Sequence, residues 1–178
     1  MKDLYSADEC AELRSAIEQS IRDHTVSAKD TPAKNTIKTV KVDLFSQGTV
    51  KVLLKKFSKA ITQANKQNFK FDVFPVQNSD VLNYNVYNAE DSAEYGWHMD
   101  AVKDQNFDIK LTALLNLSEK EYTGGMFSLF YNGPIDIPEF KSPGSMLIFP
   151  SWVPHRVTPV ETGQRISLAQ FISGPLLR

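Results

Sequence analysis

The stretch at residues 146–172, MLIFPSWVPHRVTPVETGQRISLAQFI, decides the fold class. It contains two runs rich in aliphatic and aromatic residues, at 146–149 and 166–172, and the turn residues Glu161-Thr162-Gly163 lie between them. Pro154, directly before His155, is typical of the beginning or the edge of a strand. The stretch therefore predicts short β-strands joined by turns.

The same pattern of short strand-like runs and turns extends back over most of the chain. Further strand-like runs lie at residues 69–74, 81–87, 109–117 and 126–131, and they are separated by clusters of turn residues. These clusters are Asn78-Ser79-Asp80, Thr123-Gly124-Gly125, Asn132-Gly133-Pro134 and Ser142-Pro143-Gly144. Many short strands with regular turns favour a sandwich or a barrel.

The N-terminal third has a different pattern. Ser6 and Glu9 form a capping box, and apolar residues then recur at helical spacing, which predicts a helix over residues 7–23. Residues 36–45 alternate like a strand, and residues 49–65 predict a second helix built on Val52, Leu53, Phe57 and Ile61. We expect one mainly β (α+β) domain over residues 1–178, with these helices packed on one sheet.

Composition and charge indicate an ordinary globular protein. The chain has 178 residues, is 42% hydrophobic and carries a net charge of −1. Its single cysteine, Cys10, cannot form an intramolecular disulfide and excludes cysteine-rich zinc sites. With no membrane span and no secretory signal expected, a cytoplasmic location is the simplest setting. Ten lysines and two acids at residues 29–70 indicate solvated faces, or else a surface that attracts an acidic protein substrate.

Two histidines and one aspartate are candidate metal ligands. His98 and Asp100 are two residues apart, so on a strand they would share one face, with Trp97 and Met99 on the other. Together with His155 they could hold a ferrous ion on one side and leave its other positions open. Each histidine alone is better explained as a hydrogen-bonded surface residue, and His24 is interpreted in that way.

Arg165 and Ser167 extend this candidate site. They are also two residues apart, and a hairpin turning at residues 161–163 would place Arg165 on a strand next to His155. An arginine that points inward needs an anionic partner, because a buried unpaired charge is costly. A carboxylate of an acidic co-substrate would suit it.

From residue 81 to residue 171 the sequence resembles the iron(II)- and 2-oxoglutarate-dependent dioxygenases, in their prolyl 4-hydroxylase-like branch. The resemblance rests on Tyr84-Asn-Val-Tyr87, Tyr95-Gly-Trp-His98-Met-Asp100, Leu111-Thr-Ala-Leu-Leu-Asn-Leu117, Gly124-Gly125, Pro143-Gly144, Phe149-Pro150, His155 and Arg165-Ile-Ser167. It implies a double-stranded β-helix, or jelly roll.

The resemblance also implies roles for single residues. His98, Asp100 and His155 would be the iron ligands, and Arg165 with Ser167 would bind the C5 carboxylate of 2-oxoglutarate. Tyr87 would hydrogen-bond the co-substrate, with Tyr84 as the competing candidate. Some relatives have a tyrosine on the strand that ends at Leu117, where this chain has only apolar residues and Asn116. The third co-substrate contact is therefore left open.

The implied reaction is a hydroxylation that uses Fe(II), 2-oxoglutarate and O2, releases succinate and CO2, and has ascorbate as a candidate reductant. A prolyl residue of a peptide or protein is the expected substrate. Trp152 and Tyr95 are candidate substrate contacts, and Trp97 is a further aromatic surface, although core packing also explains the tryptophans. Residues 87–95 and 104–108 could form loops over the site. The cavity interior is expected to be lined by Leu114, Leu147, Phe149 and Leu168.

Other functions remain in competition. The same chemistry could act on a free amino acid or another protein side chain, or the jelly roll could be a non-catalytic metal-binding module. A nucleic-acid demethylase would carry a second arginine six residues after the first, where this chain has Phe171, so no nucleic-acid partner is expected. Gly124-Gly125 is interpreted as a tight connection between strands rather than as a phosphate loop. The oligomeric state is left open.

Overall fold

The computed structural model describes residues 1–23, 37–77, 80–101 and 106–176. Some of the features named above lie outside these residues. They are His24, Thr36 at the start of the predicted strand, Asn78 and Ser79 of one predicted turn, and residues 104–105 of one predicted loop. None of the helices in the described part of the chain combines the length and apolarity that a bilayer crossing requires.

The first predicted helix is confirmed to the residue. Helix α1 spans Ala7–Asp23 and buries Cys10, Leu13 and Ile17. Its capping box is formed, because the Glu9 amide donates to Ser6 Oγ and the Ser6 amide donates to Glu9 Oε2.

The second predicted helix begins later than expected. Helix α2 spans Lys55–Ala64, and a 3₁₀ turn at Gln47–Val50 precedes it. Val52, predicted as a core residue of this helix, is 83% exposed. Residues 47–54 form the 3₁₀ turn and further turns instead of α-helix, and the apolar periodicity is met only from Leu54 and Phe57 onward, both of which are fully buried.

The strands form two principal antiparallel sheets. The major sheet has the order β1 (Lys41–Ser46), β2 (Val81–Asn88), β11 (Gln164–Gly174), β4 (Asp108–Asn116) and β8 (Met146–Pro150). The minor sheet has the order β3 (Tyr95–His98), β9 (His155–Val157), β6 (Phe127–Phe130) and β7 (Pro134–Asp136), and β5 (Thr123–Gly124) pairs with β10 (Val160–Thr162).

Two strand predictions need correction. Residues 69–74 do not form a strand: Phe69 ends a π turn, and Lys70 has a left-handed backbone with φ of 57°, which turns the chain away from an extended path. The predicted strand at residues 36–45 is shorter, because regular pairing begins at Lys41. Only an isolated bridge joins Lys38 to Tyr95 before it.

The predicted hairpin is also wrong in one respect. His155 lies on β9 of the minor sheet and Arg165 lies on β11 of the major sheet, so the two strands are not neighbours. The turn itself exists, with Gly163 at φ 73°. Short β10 between them pairs with β5 instead. Arg165 therefore reaches the site from the opposite sheet and not from the strand beside His155.

The glycine pair Gly124-Gly125 permits this connection, as predicted. Both residues have positive φ, and the Gly125 amide donates to the carbonyl of Pro159. A Cβ on Gly124 would lie 2.2 Å from the same carbonyl oxygen, which no side chain could tolerate.

The major sheet divides the hydrophobic core into two parts. Its outer face packs on the helices through residues such as Leu82, Tyr84 and Leu168, and its inner face packs toward the minor sheet. Leu168 was expected to line the cavity and instead lies on the helix side. The mainly β jelly roll with helices on one sheet is confirmed, and the single-domain assignment stays a prediction.

Candidate active site

Three side chains meet at the edge of the minor sheet. His98 ends β3 and is paired in register with His155, the first residue of β9. Asp100 lies beyond the end of β3, and its backbone amide donates to the carbonyl of Ser151. The Nε2 atoms of His98 and His155 lie 3.6 and 3.3 Å from the Asp100 carboxylate, and the three donor atoms all lie within 4.8 Å of one another.

Asp100 therefore shares a site with His98 for a different reason than we predicted. The two residues do not face the same way on one strand, because β3 stops at His98. The backbone bonds from Asp100 and Ala101 to Ser151 turn the chain so that the carboxylate faces both imidazoles.

Backbone carbonyls orient both imidazole rings. Nδ1 of His98 lies 2.8 Å from the carbonyl of Gly96, and Nδ1 of His155 lies 3.1 Å from that of Val153. A carbonyl can only accept, so each Nδ1 donates to its carbonyl, and each Nε2 faces the Asp100 carboxylate. Burial, followed by the neighbouring His155, lowers the pKa of His98 to about 4, which keeps its ring neutral at neutral pH.

The Asp100 carboxylate is held in its charged form. Burial alone would raise its pKa, but hydrogen bonds from His155 and Thr112 outweigh that effect, and the pKa lies below its usual range. The Thr112 hydroxyl on β4 donates to Asp100 Oδ2 over 2.7 Å. Two imidazoles, one carboxylate and the outer partners that fix each of them form a donor set suited to a divalent transition-metal ion.

A buried arginine faces this cluster from the major sheet. Arg165 is 1% exposed, and its Nη1 donates to Ser167 Oγ over 3.1 Å, so the two share one face of β11 as predicted. The guanidinium lies over the rings of Tyr87, at 4.8 Å, and Phe140, at 5.5 Å. Its Nε has no hydrogen-bond partner, and among the described residues no carboxylate pairs with it.

One cavity of about 400 Å³ joins the two groups. His98, Asp100 and His155, called here the metal-type cluster, lie on one side of the cavity. Tyr87, Arg165 and Ser167 line its other end. A buried guanidinium without an anionic partner is costly, so this end of the cavity is suited to a carboxylate.

Comparison with known proteins identifies the family. The family described as the 2OG-Fe(II) oxygenase superfamily matches residues 82–173, which is half of the chain. The chain belongs to the 2OG-Fe(II) oxygenase superfamily. The resemblance noted in the sequence is thus confirmed, and with it the dependence of the family on a ferrous ion, 2-oxoglutarate and O2.

Individual relatives agree with this assignment. The chain is 38% identical over 74 residues to a PKHD-type hydroxylase of Synechococcus sp. (strain CC9605), covering 40% of this chain and 32% of that protein. The match thus spans about a third of that relative's length. A Pseudomonas putida prolyl-4-hydroxylase has a TM-score of 0.74 at 19% identity, covering 99% of this chain and 91% of that one. A Trichoplax adhaerens prolyl hydroxylase, solved with a peptide fragment, has a TM-score of 0.75 at 16% identity, with coverages of 97% and 81%. The prolyl 4-hydroxylase-like assignment is confirmed in the fold.

Several predicted contacts of this oxygenase lie elsewhere. Tyr84 faces helix α1 and donates to Glu18, so it is no competitor to Tyr87. Trp152 is 40% exposed and packs on Phe71, and Trp97 packs on Phe130 under the Arg156 guanidinium. Neither tryptophan lines the cavity.

Tyr95 does line the cavity of the oxygenase, with its ring stacked on His98 at 3.4 Å between centroids. The segment between β2 and β3 is not a free loop. It is a compact 3₁₀ turn, and the buried Ala93 is held by backbone bonds to Asn88 and Val160. Of the second predicted loop, only residues 106–108 are described, and β4 already begins at Asp108.

Three polar residues of the site were missed from the sequence. Thr112 holds Asp100, and Asn83 and Asn85 line the cavity from β2. Alternation along β2 placed all three polar residues Asn83, Asn85 and Tyr87 on one face, and that signal could have found the two asparagines. Thr112 could not be found in this way, because its role depends on the path of the chain after β3.

Proposed function

We propose that the chain is an Fe(II)- and 2-oxoglutarate-dependent hydroxylase that acts on prolyl residues of a peptide or protein and releases succinate and CO2. One observation carries this proposal. The His98, Asp100 and His155 cluster and the Arg165 guanidinium line the same cavity. A jelly roll that had kept only a structural metal would have no need for the buried cation.

The residues present fit the two groups that the family uses. His98, Asp100 and His155 would hold the ferrous ion through two Nε2 atoms and one carboxylate, and Arg165 with Ser167 would hold the distal carboxylate of 2-oxoglutarate. When bound, these groups and O2 supply the oxidising power to hydroxylate an unactivated C–H bond.

The protein itself contributes orientation and exclusion of water. The carbonyls of Gly96 and Val153 fix both imidazoles, and Thr112 fixes the carboxylate. Buried Leu114, Phe127 and Val157 line the inner part of the cavity. This apolar wall keeps water away from the reacting groups and strengthens the electrostatic interaction with Arg165.

The prolyl part of the proposal draws on the relatives. The two structural neighbours described above are prolyl hydroxylases, and one of them was solved with a peptide. A peptide fits a cavity whose rim is half-exposed and includes Asn83, Met99, Ile109 and Phe171. A cytoplasmic location, inferred from the single cysteine, and ascorbate as a reductant belong to the same proposal.

The test uses the purified protein with a pool of blocked X-Pro-Y tripeptides. The protein is loaded anaerobically with Fe(II) and 2-oxoglutarate, mixed with the peptides and then exposed to air. We expect peptides that gain one oxygen in mass, and an equal amount of succinate. His155→Ala should form neither product, while Asp91→Asn, which changes an exposed acid that does not line the cavity, should match the wild type.

Two results would count against the proposal in different ways. If no succinate forms and 2-oxoglutarate does not bind, the oxygenase activity itself is wrong. If succinate forms but no prolyl peptide gains oxygen, the chemistry stands and the prolyl substrate is rejected.

A further inference from the structure

The cavity has a closed end and an open side. Tyr87, Arg165 and Phe127 are buried at the closed end, whereas Asn83, Asn85 and Phe171 are half-exposed. The part of the rim formed by the inner face of β2 and the neighbouring residues of β11 is therefore open to a substrate.

On the cavity face of the major sheet, each residue of β2 is paired with one residue of β11, and each such pair is called a row. Tyr87 is paired with Arg165, Asn85 with Ser167, and Asn83 with Ala169. Successive inner residues are about 7 Å apart along a strand. The Arg165 guanidinium reaches Ser167, so the carboxylate site lies in the row of Asn85, and Asn83 lies one row nearer to the open side.

The row beyond Asn83 contains Thr112, the residue that hydrogen-bonds Asp100. Ala169 is paired with Leu114 on β4, and Phe171 with Thr112, whose hydroxyl binds the Asp100 carboxylate. Asn83 thus lies between the row of the carboxylate site and the row of the metal-type cluster.

The side-chain amide of Asn83 lies among apolar neighbours. No described residue hydrogen-bonds its side chain, and its neighbours in the row are Leu44, Ala169 and Leu114. A half-buried amide among such side chains gains most from a partner that both donates and accepts. A peptide group offers both.

We propose that Asn83 is a specificity-determining residue that hydrogen-bonds the peptide amide following the hydroxylated proline. Its Oδ1 accepts from the N–H of that amide, and its Nδ2 donates to a substrate carbonyl. The inference rests on the proposed prolyl hydroxylase function. The inference gives different roles to two asparagines on the same face of β2. Asn83 recognises the substrate, whereas Asn85 lies beside the co-substrate carboxylate.

The experiment compares amide and ester substrates. The blocked X-Pro-Y tripeptides are paired with analogues in which an ester replaces the Pro–Y amide, which removes the N–H. Binding is measured by anaerobic titration of the Fe(II)- and 2-oxoglutarate-loaded protein, so no turnover is needed. The wild type should prefer amide to ester by about tenfold, which is the usual value of one hydrogen bond to a positioned group.

Asn83→Leu keeps the size of the side chain and removes both hydrogen-bonding atoms. We expect it to bind the amide about tenfold more weakly, to lose the preference over the ester, and to keep its affinity for 2-oxoglutarate. Asn85→Leu is the matched variant on the same strand and face; at a 2-oxoglutarate concentration that saturates this variant, its ratio of amide to ester affinity should equal that of the wild type.

Three outcomes would overturn the inference, and they can be told apart. If Asn83→Leu keeps the amide preference, or weakens 2-oxoglutarate binding instead, the role of Asn83 is wrong while the proposed function stands. If the wild type binds and oxidises none of the tripeptides, the prolyl proposal fails and this inference fails with it.

Discussion

Thr112 shows how much of the site depends on one hydroxyl group. It donates to Asp100 Oδ2 over 2.7 Å and helps to keep the carboxylate ionised and oriented. Partners behind a metal ligand commonly contribute ten- to a hundredfold in metal affinity. We therefore expect Thr112→Val, which is nearly isosteric, to weaken Fe(II) binding about tenfold. An anaerobic Fe(II) titration measures this, with Thr62→Val on the exposed side of α2 as the control; equal affinities for both variants would contradict the role of Thr112.

Arg165 is expected to reduce the stability of the protein as long as no co-substrate is bound. Its charge is buried beside aromatic rings without a carboxylate partner among the described residues. Replacing a buried charge by an apolar side chain of similar length is often neutral or stabilising. Arg165→Met should therefore raise the free energy of unfolding of the ligand-free protein by about 1 kcal/mol, measured in urea.

The same variant should lose the response to 2-oxoglutarate. We expect the wild type to become more stable when 2-oxoglutarate is added in the presence of a divalent metal, and Arg165→Met to show no such gain. Arg156→Met is the matched control, because Arg156 also lies over an aromatic ring but is only half-buried, on the minor sheet, and does not line the cavity. A full 2-oxoglutarate response in Arg165→Met would show that the guanidinium does not bind the co-substrate.

Among the elements, helix α1 could be predicted to the residue because its signals are local. Its start is fixed by two reciprocal hydrogen bonds between residues three apart. We expect Ser6→Ala to destabilise the protein by about 1 kcal/mol, the usual cost of losing a cap. Ser15→Ala, on the exposed middle of the same helix, should be neutral or slightly stabilising, because alanine is the better helix former there. Thermal unfolding of both variants checks this, and an equal loss would show that the cap contributes nothing.

Elements that depend on distant partners were predicted less well. Strands β5, β7, β9 and β10 have two or three residues each, too few for any periodicity, and only their partners define them. Residues 69–74 have a strand-like composition, but Lys70 takes a left-handed conformation that composition does not reveal. The long strands β2, β4 and β11 were found because burial on both faces or strict alternation marks them.

In the candidate site too, the residues could be found from local sequence, but their arrangement could not. The histidines, Asp100 and Arg165 were singled out from spacing and from a family resemblance, whereas their arrangement was predicted wrongly in two places. Asp100 is not on β3, and Arg165 is not on a strand beside His155. Both differences arise from how the chain passes from one sheet to the other. Residue spacing reports which side chains share a strand face and carries no information about which sheet that strand joins.

In the whole molecule, the two sheets line opposite sides of one cavity. His98 and His155 come from the minor sheet, and Arg165 and Ser167 come from the major sheet. A metal ion bound at one side and 2-oxoglutarate bound between the two would connect the sheets across the cavity. Each ligand should therefore strengthen the binding of the other, because binding of one orders the cavity for the second.

This coupling can be measured as thermal stabilisation under anaerobic conditions. With both ligands at about a hundred times their dissociation constants, linkage gives roughly 2.7 kcal/mol for each site, and a chain of this length gains roughly 2–4 °C per kcal/mol. Fe(II) and 2-oxoglutarate together should raise the melting temperature by more than the sum of their separate effects. Asp100→Ala should abolish the effect of Fe(II) and reduce that of 2-oxoglutarate, since the metal can no longer help to hold the co-substrate. Strictly additive shifts in the wild type would mean that the two sheets hold their ligands independently and that the cavity is not a single site.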